Sequence, residues 1–163
     1  MEISMSNLTL FMATLLVGLV AGLCFTWGNA VTPGIGQLDN LGYLRSFQKM
    51  NRSIENPLFF AVFVGSLLIG ICAVFTNQGL SPTHFRLVLT AILFYFFGVI
   101  LVTILGNIPL NELLDKTDLS ISSSSELRAL RQRFEKSWNR FHTIRVWSAT
   151  ISFMLLIIAS INK

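Results

Sequence analysis

The sequence predicts an all-α membrane protein. The expected architecture is a four-transmembrane-helix bundle with an interfacial amphipathic helix between helices one and two and a cytoplasmic extension of helix four. Three observations carry this reading. Of the 163 residues, 53% are hydrophobic and only 12% are charged, where a soluble domain averages about 25% charged. Mean hydropathy is +0.66. Four stretches then supply the ~20 mostly apolar residues that a spanning helix requires.

The first stretch runs from about Leu8 to Trp27. It has neither a basic leading region nor a small-residue cleavage site after it, so it reads as a permanent span. The second runs from Pro57 to Thr76, with Pro57 suited to a first helical turn, where its missing N–H is harmless. Asn77-Gln78-Gly79 closes it, and Ser81-Pro82 belongs to a short turn. The third runs from about Leu87 to Gly106, after which Pro109 ends the span or opens a short helix. The fourth runs from about Thr143 to Ile161. All four belong to one membrane domain over 1–163.

Two connections have helical character of their own. Between about 39 and 55, Leu41, Leu44, Phe47, Met50 and Ile54 recur at steps of three and four, the pattern of an amphipathic helix at a membrane interface. The connection over 107–123 ends in a serine tract. There Ser123 and Glu126 have the spacing of a capping box. No Gly or Pro follows, and Leu127, Leu130, Phe134, Trp138 and Phe141 continue one apolar face into the fourth span. The spacing therefore predicts one helix over about 124–161, ~57 Å long at 1.5 Å per residue. Its first third projects into the cytoplasm or lies on the bundle.

Charge placement sets the expected orientation. Arg45, Lys49, Arg52, Lys116, Arg128, Arg131, Arg133, Lys136, Arg140 and Arg145 fall on one side, whereas only Arg86 and Lys163 fall on the other. The positive-inside rule puts the basic connections in the cytoplasm and both termini outside. Basic residues recruited to a site would bias the count the same way. The net charge of +4 records orientation and not nucleic-acid binding, since no basic cluster has interleaved aromatics. Cys24 and Cys72, each in an apolar run, read as small buried hydrophobes. Gly18 with Gly22, and Ser66 with Gly70, have the small-xxx-small spacing of close helix contacts. They serve packing within the chain or a dimer seam through Gly18 and Gly22.

Polar residues are scarce, and they converge at the cytoplasmic mouth. Trp27, Asn29, Thr32 and Pro33 end the first span. Gln48, Asn51 and Asn56 lie on or after the interfacial helix, Asn107 and Asn111 bracket Pro109, and Trp138, Asn139, His142 and Arg145 enter the fourth span. Trp138, His142 and Arg145 fall at i, i+4 and i+7 and share a helix face. A histidine and an arginine at membrane depth are functional candidates by default. Plainer roles exist for each residue taken singly: snorkelling for Arg145, a carbonyl partner for His142, an aromatic belt for the tryptophans and backbone capping for Asn107 and Asn111. Gln48 and Asn51 fit the wet face of the interfacial helix. Their convergence favours a polar pocket. His84, on the opposite side, cannot share a metal with His142, and no GxGxxG, P-loop or CxxC is present. Any oxidation would therefore proceed without a tightly held redox cofactor or with one from a partner.

Four segments in order carry a resemblance: Asn29 to Gly34 (NAVTPG), Phe47-Gln48-Lys49-Met50-Asn51-Arg52 through Asn56-Pro57, Asn107-Ile108-Pro109-Leu110-Asn111, and Trp138-Asn139 with His142-Thr143-Ile144-Arg145. Together they resemble the anthrone oxygenase-like family of small four-helix membrane proteins, long catalogued as a domain of unknown function. Some fungal members are linked to oxidation of anthrones to anthraquinones without metal or flavin, and most bacterial members have no assigned substrate. The resemblance implies a cofactor-independent oxygenase in a bacterial inner membrane, acting on a small hydrophobic aromatic. An anthrone has an acidic methylene beside a phenolic ring system. Such chemistry needs a general base, oxyanion donors and a dry aromatic slot. His142 would be the base, Arg145, Asn107 and Asn111 the donors, Asn51 or Gln48 a hydroxyl partner, and Trp138 and Trp27 the stacking surfaces. A non-catalytic protein holding a lipid, quinone or polyketide is the alternative, and a scaffold subunit is a third reading. Transport is disfavoured, because no inverted repeat is visible.

Overall fold

A computed structural model describes residues 4–162, and every regular element among them is helical. Lys163, one of the two basic residues assigned to the sparsely charged side, lies outside the described residues. Four helical stretches are long and apolar enough to cross a membrane: Met5–Ile35, Pro57–Thr76, Pro82–Asp115 and Ser124–Ile161. This composition is that of an integral membrane protein.

The first stretch does not stop at Trp27. Helix α1 (Met5–Thr26) continues through a π-helical segment (Trp27–Val31) into α2 (Thr32–Gly36), so the NAVTPG segment extends the helix instead of ending it. The wider turn just ahead of Pro33 accommodates a residue that cannot donate to the helix ladder. The third stretch uses the same device. Helix α5 (Pro82–Tyr95) passes through π-helical segments at Phe96–Leu101 and Thr103–Asn107 into α6 (Ile108–Asp115), which holds Pro109 in its first turn. Proline opens a helix here without breaking the chain's helical path.

Caps explain the remaining boundaries. Asp39 accepts from Gly42 N–H at 2.7 Å and starts α3 (Asn40–Ile54). Asn56 accepts from Phe59 N–H at 3.0 Å and starts α4 (Pro57–Thr76), with Pro57 in the first turn. Ser81 caps α5 from ahead of Pro82. Ser123 and Glu126 form a reciprocal capping box on α7 (Ser124–Ile161).

The helices pack in a ring, α4 on α1, α1 on α7 and α7 on α5, with α4 meeting α5 to close it. Small residues sit at these contacts. Gly18 lies under Phe153, Gly70 against Ile92, Gly98 against Ser148 and Gly106 under Phe141. The Gly18 contact is within the chain, whereas a side chain at Gly22 would meet nothing within 4 Å. Cys72 is exposed, against the expectation that both cysteines are buried; Cys24 is buried. A methyl on Gly106 would stand 2.6 Å from the Phe141 ring. Gly106→Ala is therefore expected to lower stability by about 1–3 kcal/mol, as overpacking does. Thermal unfolding in detergent followed by circular dichroism checks it.

Two clusters make the interior. One fills the ring with residues such as Leu10, Val17, Val20, Phe63, Val88 and Leu156. At its far end Asn77, 0% exposed, accepts through Oδ1 from His84 Nε2–H at 2.9 Å and joins the end of α4 to the start of α5. The other cluster lies at the basic end, where α3 buries Tyr43, Leu44, Phe47 and Asn51 against α6 and α7. This face is rotated slightly from the stripe in the sequence, leaving Met50 and Ile54 half-buried. The first third of α7 packs on α3 through Phe134, whose ring meets Phe47 edge-on at 4.8 Å. Arg131 fastens this arrangement. It donates to the Gly36 and Leu38 carbonyls, both at 2.7 Å, pairs with Glu135 at 2.8 Å and covers the Tyr43 ring at 4.4 Å. A guanidinium at a helix C-terminus satisfies carbonyls and complements the dipole. Burial holds the Tyr43 phenol above its ordinary range, with Glu135 adding to the effect.

Candidate functional site

Between the two clusters lies a pocket of about 670 Å³, within the range that takes a drug-sized ligand. Helix α1 contributes Leu23 and Cys24, with Trp27 from the π-segment that follows. Helix α3 contributes Asn51, α4 contributes Phe59 and Phe63, the third membrane helix contributes Thr103, Asn107 and Asn111, and α7 contributes Trp138, His142 and Arg145. The walls are mostly apolar, with His142 and Arg145 from α7, Asn107 and Asn111 from the third helix and Asn51 from α3 among the polar groups, and charged residues of α3 and α6 at one mouth.

His142 is the centre of that polar group. It is 4% exposed, and its Nε2 lies 3.0 Å from the Cys24 carbonyl oxygen. A carbonyl only accepts, so in the neutral imidazole Nε2 carries the proton and Nδ1 holds the lone pair. Nδ1 is buried and has no partner. The bond to Cys24 thus fixes one tautomer and leaves one basic nitrogen. Trp138 stacks on the imidazole at 4.8 Å and 20°. Its indole N–H donates to Asn111 Oδ1 at 2.8 Å, and its carbonyl accepts from Asn107 at 3.4 Å. Asn107 and Asn111 therefore tie the third membrane helix to α7, instead of capping backbone around Pro109. Phe47 meets Trp138 edge-on at 4.8 Å, and Trp27 lies 6.0 Å from it.

Arg145 does not snorkel freely. Its Nη2 points to Cys24 Sγ at 3.9 Å, and its Nε is buried without a partner. It takes part in none of the ion pairs among the described residues. A guanidinium in a low-dielectric wall with no carboxylate beside it attracts any anion formed in the pocket. Other buried polar atoms without partners belong to the same lining: Trp27 Nε1, Asn51 Nδ2 and Asn107 Oδ1. Buried polar atoms normally find partners, so several unpaired ones around a single cavity give it donors and acceptors for a ligand.

Of the residues singled out in the sequence, the structure brings Trp27, Asn51, Asn107, Asn111, Trp138, His142 and Arg145 to this pocket. It does not bring Asn29 or Gln48. Asn29 is exposed on the π-segment. Gln48 donates to the Leu114 and Thr117 carbonyls at 2.8 and 3.0 Å, satisfying the open end of α6. Asn56 is a helix cap, and Trp147 is 65% exposed. His84 and His142 stand at opposite ends of the bundle, and among the described residues no three His, Cys, Asp or Glu side chains gather as a metal site.

Sequence reasoning missed Gly28 and the Cys24 carbonyl. A Cβ at Gly28 would lie 3.4 Å from His142 Nε2 and 3.7 Å from Val146, which leaves room for a methyl and nothing larger. Gly28→Ala is expected to leave thermal stability within about 0.5 kcal/mol of the parent, whereas Gly28→Leu should cost about 1–3 kcal/mol. The larger residue should also break the His142–Cys24 bond, which imidazole ¹⁵N shifts would report. A glycine one helical turn after Cys24 is the only trace of this in the sequence.

No curated protein and no solved structure matches the chain. The family model described as anthrone oxygenase matches residues 57–155. The matched segment holds Asn107, Asn111, Trp138, His142 and Arg145, while Cys24, Trp27 and Asn51 come from outside it. With more than half of its length matched, the chain belongs to the anthrone oxygenase family.

Proposed function

We propose that the protein is a cofactor-independent oxygenase. It oxidises the acidic methylene of a small, planar, hydrophobic aromatic of the anthrone type to a ketone with dioxygen. The observation that carries this reading is that His142, whose Nδ1 is buried and unpaired, lines a mostly apolar cavity together with Arg145, which has no ion-pair partner among the described residues. Family membership supports the reaction class.

The residues account for the chemistry step by step. His142 Nδ1 removes one methylene proton, and the electron pair moves through the conjugated ring system to the carbonyl oxygen on the opposite side of the central ring. Arg145 and the unpaired Asn51 and Trp27 N–H groups stabilise that oxyanion. Asn107 Oδ1 accepts from a ring hydroxyl. The electron-rich anion reduces dioxygen and forms a C–O bond, giving a hydroperoxide after protonation by the imidazolium. Loss of the remaining C–H proton with O–O cleavage yields the ketone and water. One CH₂ and one O₂ become one C=O and one H₂O, so dioxygen is the only oxidant needed.

In this reading α3 lies at the cytoplasmic membrane face of a bacterial inner membrane, both termini are outside, and the first third of α7 stands over the cytoplasmic mouth. Arg131, locked onto helix-end carbonyls, accounts for part of the charge bias structurally. The other basic residues of α3, the end of α6 and the first half of α7 still fall on that side, with Arg86 at the opposite end.

Oxygen uptake by the purified protein in detergent with an anthrone supplied tests the proposal. Consumption above the spontaneous rate with matching quinone formation supports it. Tight anthrone binding with no consumption would replace it with the non-catalytic binding protein, which would use the same pocket.

A further inference from the structure

The ring of helices is not closed along its whole height. Helix α4 meets the third membrane helix over Pro82–Tyr95, where Gly70 takes Ile92 and the Tyr95 hydroxyl donates to the Phe63 carbonyl at 2.7 Å. The third membrane helix packs on α7 along both halves, but below that bond α4 stands apart from its π-helical half. Phe60 and Val64 of α4 and Ile104 and Ile108 of the third helix edge this gap. All four line the pocket, and they are also 50%, 43%, 49% and 40% exposed. None of the four is polar, so this edge of the pocket is apolar throughout. The other mouth differs. It is edged by charged residues and bridged from α3 to α6 by the Arg52–Asp115 pair at 2.6 Å, with Lys116–Glu112 at 3.0 Å beside it.

We propose that the ligand is a planar apolar compound dissolved in the bilayer. It enters the pocket sideways between α4 and the third membrane helix, through the opening edged by Phe60, Val64, Ile104 and Ile108. This rests on the reading of the pocket as an oxygenase site and adds the source of its substrate. The physical reason is solvation. A fused aromatic partitions into hydrocarbon, and an apolar side opening lets it slide in without crossing water. The charged mouth would require it to leave the bilayer first. Entry edge-first also brings the ring edge toward Asn107, His142 and Arg145, which line the same pocket.

The chain has three tryptophans, and Trp27 and Trp138 line the pocket while Trp147 is exposed. In a Trp147→Phe background, tryptophan emission therefore reports on the pocket alone. Stopped-flow mixing of proteoliposomes with vesicles loaded with anthraquinone, which quenches without being consumed, gives an entry rate. Val64→Phe with Ile104→Phe is expected to slow quenching about tenfold, since narrowing a route lowers the on-rate. Ile71→Phe with Leu93→Phe, exposed on the same two helices but away from the pocket, should leave the rate unchanged. Glu112→Phe with Lys116→Phe, which narrows the charged mouth, should leave it unchanged as well. Slowing by the charged-mouth variant and not by the side-opening variant would overturn the proposal, as would an absence of quenching in the parent. Quenching as expected without oxygen uptake would uphold the side entrance and sink the oxygenase reading.

Discussion

Replacing His142 with glutamine is expected to reduce anthrone-dependent oxygen uptake by about 10²–10⁴-fold, the contribution of a positioned general base. Glutamine is the informative replacement. Its amide can still donate to the Cys24 carbonyl, 3.0 Å from Nε2 in the parent, but it offers no basic nitrogen at the Nδ1 position. The contact with Trp138 on one side and the space left by Gly28 on the other remain filled. Thermal unfolding should thus stay near the parent value while turnover falls. His142→Ala should also lose turnover, with a stability loss from the emptied volume. A histidine that only satisfies the Cys24 carbonyl predicts the opposite pattern, with glutamine active and alanine merely unstable. Uptake measured for both variants beside their melting curves separates the two.

Arg145→Met is expected to cut turnover by about 10²–10³-fold, as loss of an oxyanion donor does, while raising the melting temperature. The rise follows from desolvation. Arg145 Nε is buried with no partner, and the nearest polar contact of the guanidinium is the Cys24 sulfur at 3.9 Å. Methionine of similar length removes a poorly compensated charge and keeps the packing. Loss of function joined to a gain in stability marks a residue held for its chemistry. A snorkelling arginine would instead lose stability on replacement and leave turnover intact. Lysine should not rescue, because a point charge does not reproduce the planar donor set of a guanidinium.

These effects converge on residues that differed in how far the sequence alone announced them. Trp138, His142 and Arg145 were legible because they share one face of one helix, and helical periodicity is a local property. Asn107 and Asn111 were legible as polar residues near a proline, but their work was not. Their partner is Trp138, about thirty residues on, and nothing local links them. Gln48 and Asn29 carried the same polar signal as Asn51. One is held by the open end of α6 and the other faces outward, and only the packing separates them.

By itself the sequence determined the all-helical class, the four apolar stretches long enough to span a membrane, and the capping signal that starts α7. Each depends on composition or on neighbours within one or two turns. Tertiary structure decided the rest. The first and third helices run on through π-helical segments where the prolines suggested breaks, because a widened turn accommodates a missing donor without exposing backbone in an apolar surrounding. The Cys24 carbonyl selects the tautomer of His142 across 118 positions of sequence. The α4 seam opens below Tyr95 because α4 packs on the third helix only over Pro82–Tyr95, while α7 follows that helix along both halves. Such choices depend on which surfaces meet across the bundle, and an apolar stripe can be buried against any of several neighbours at similar free energy.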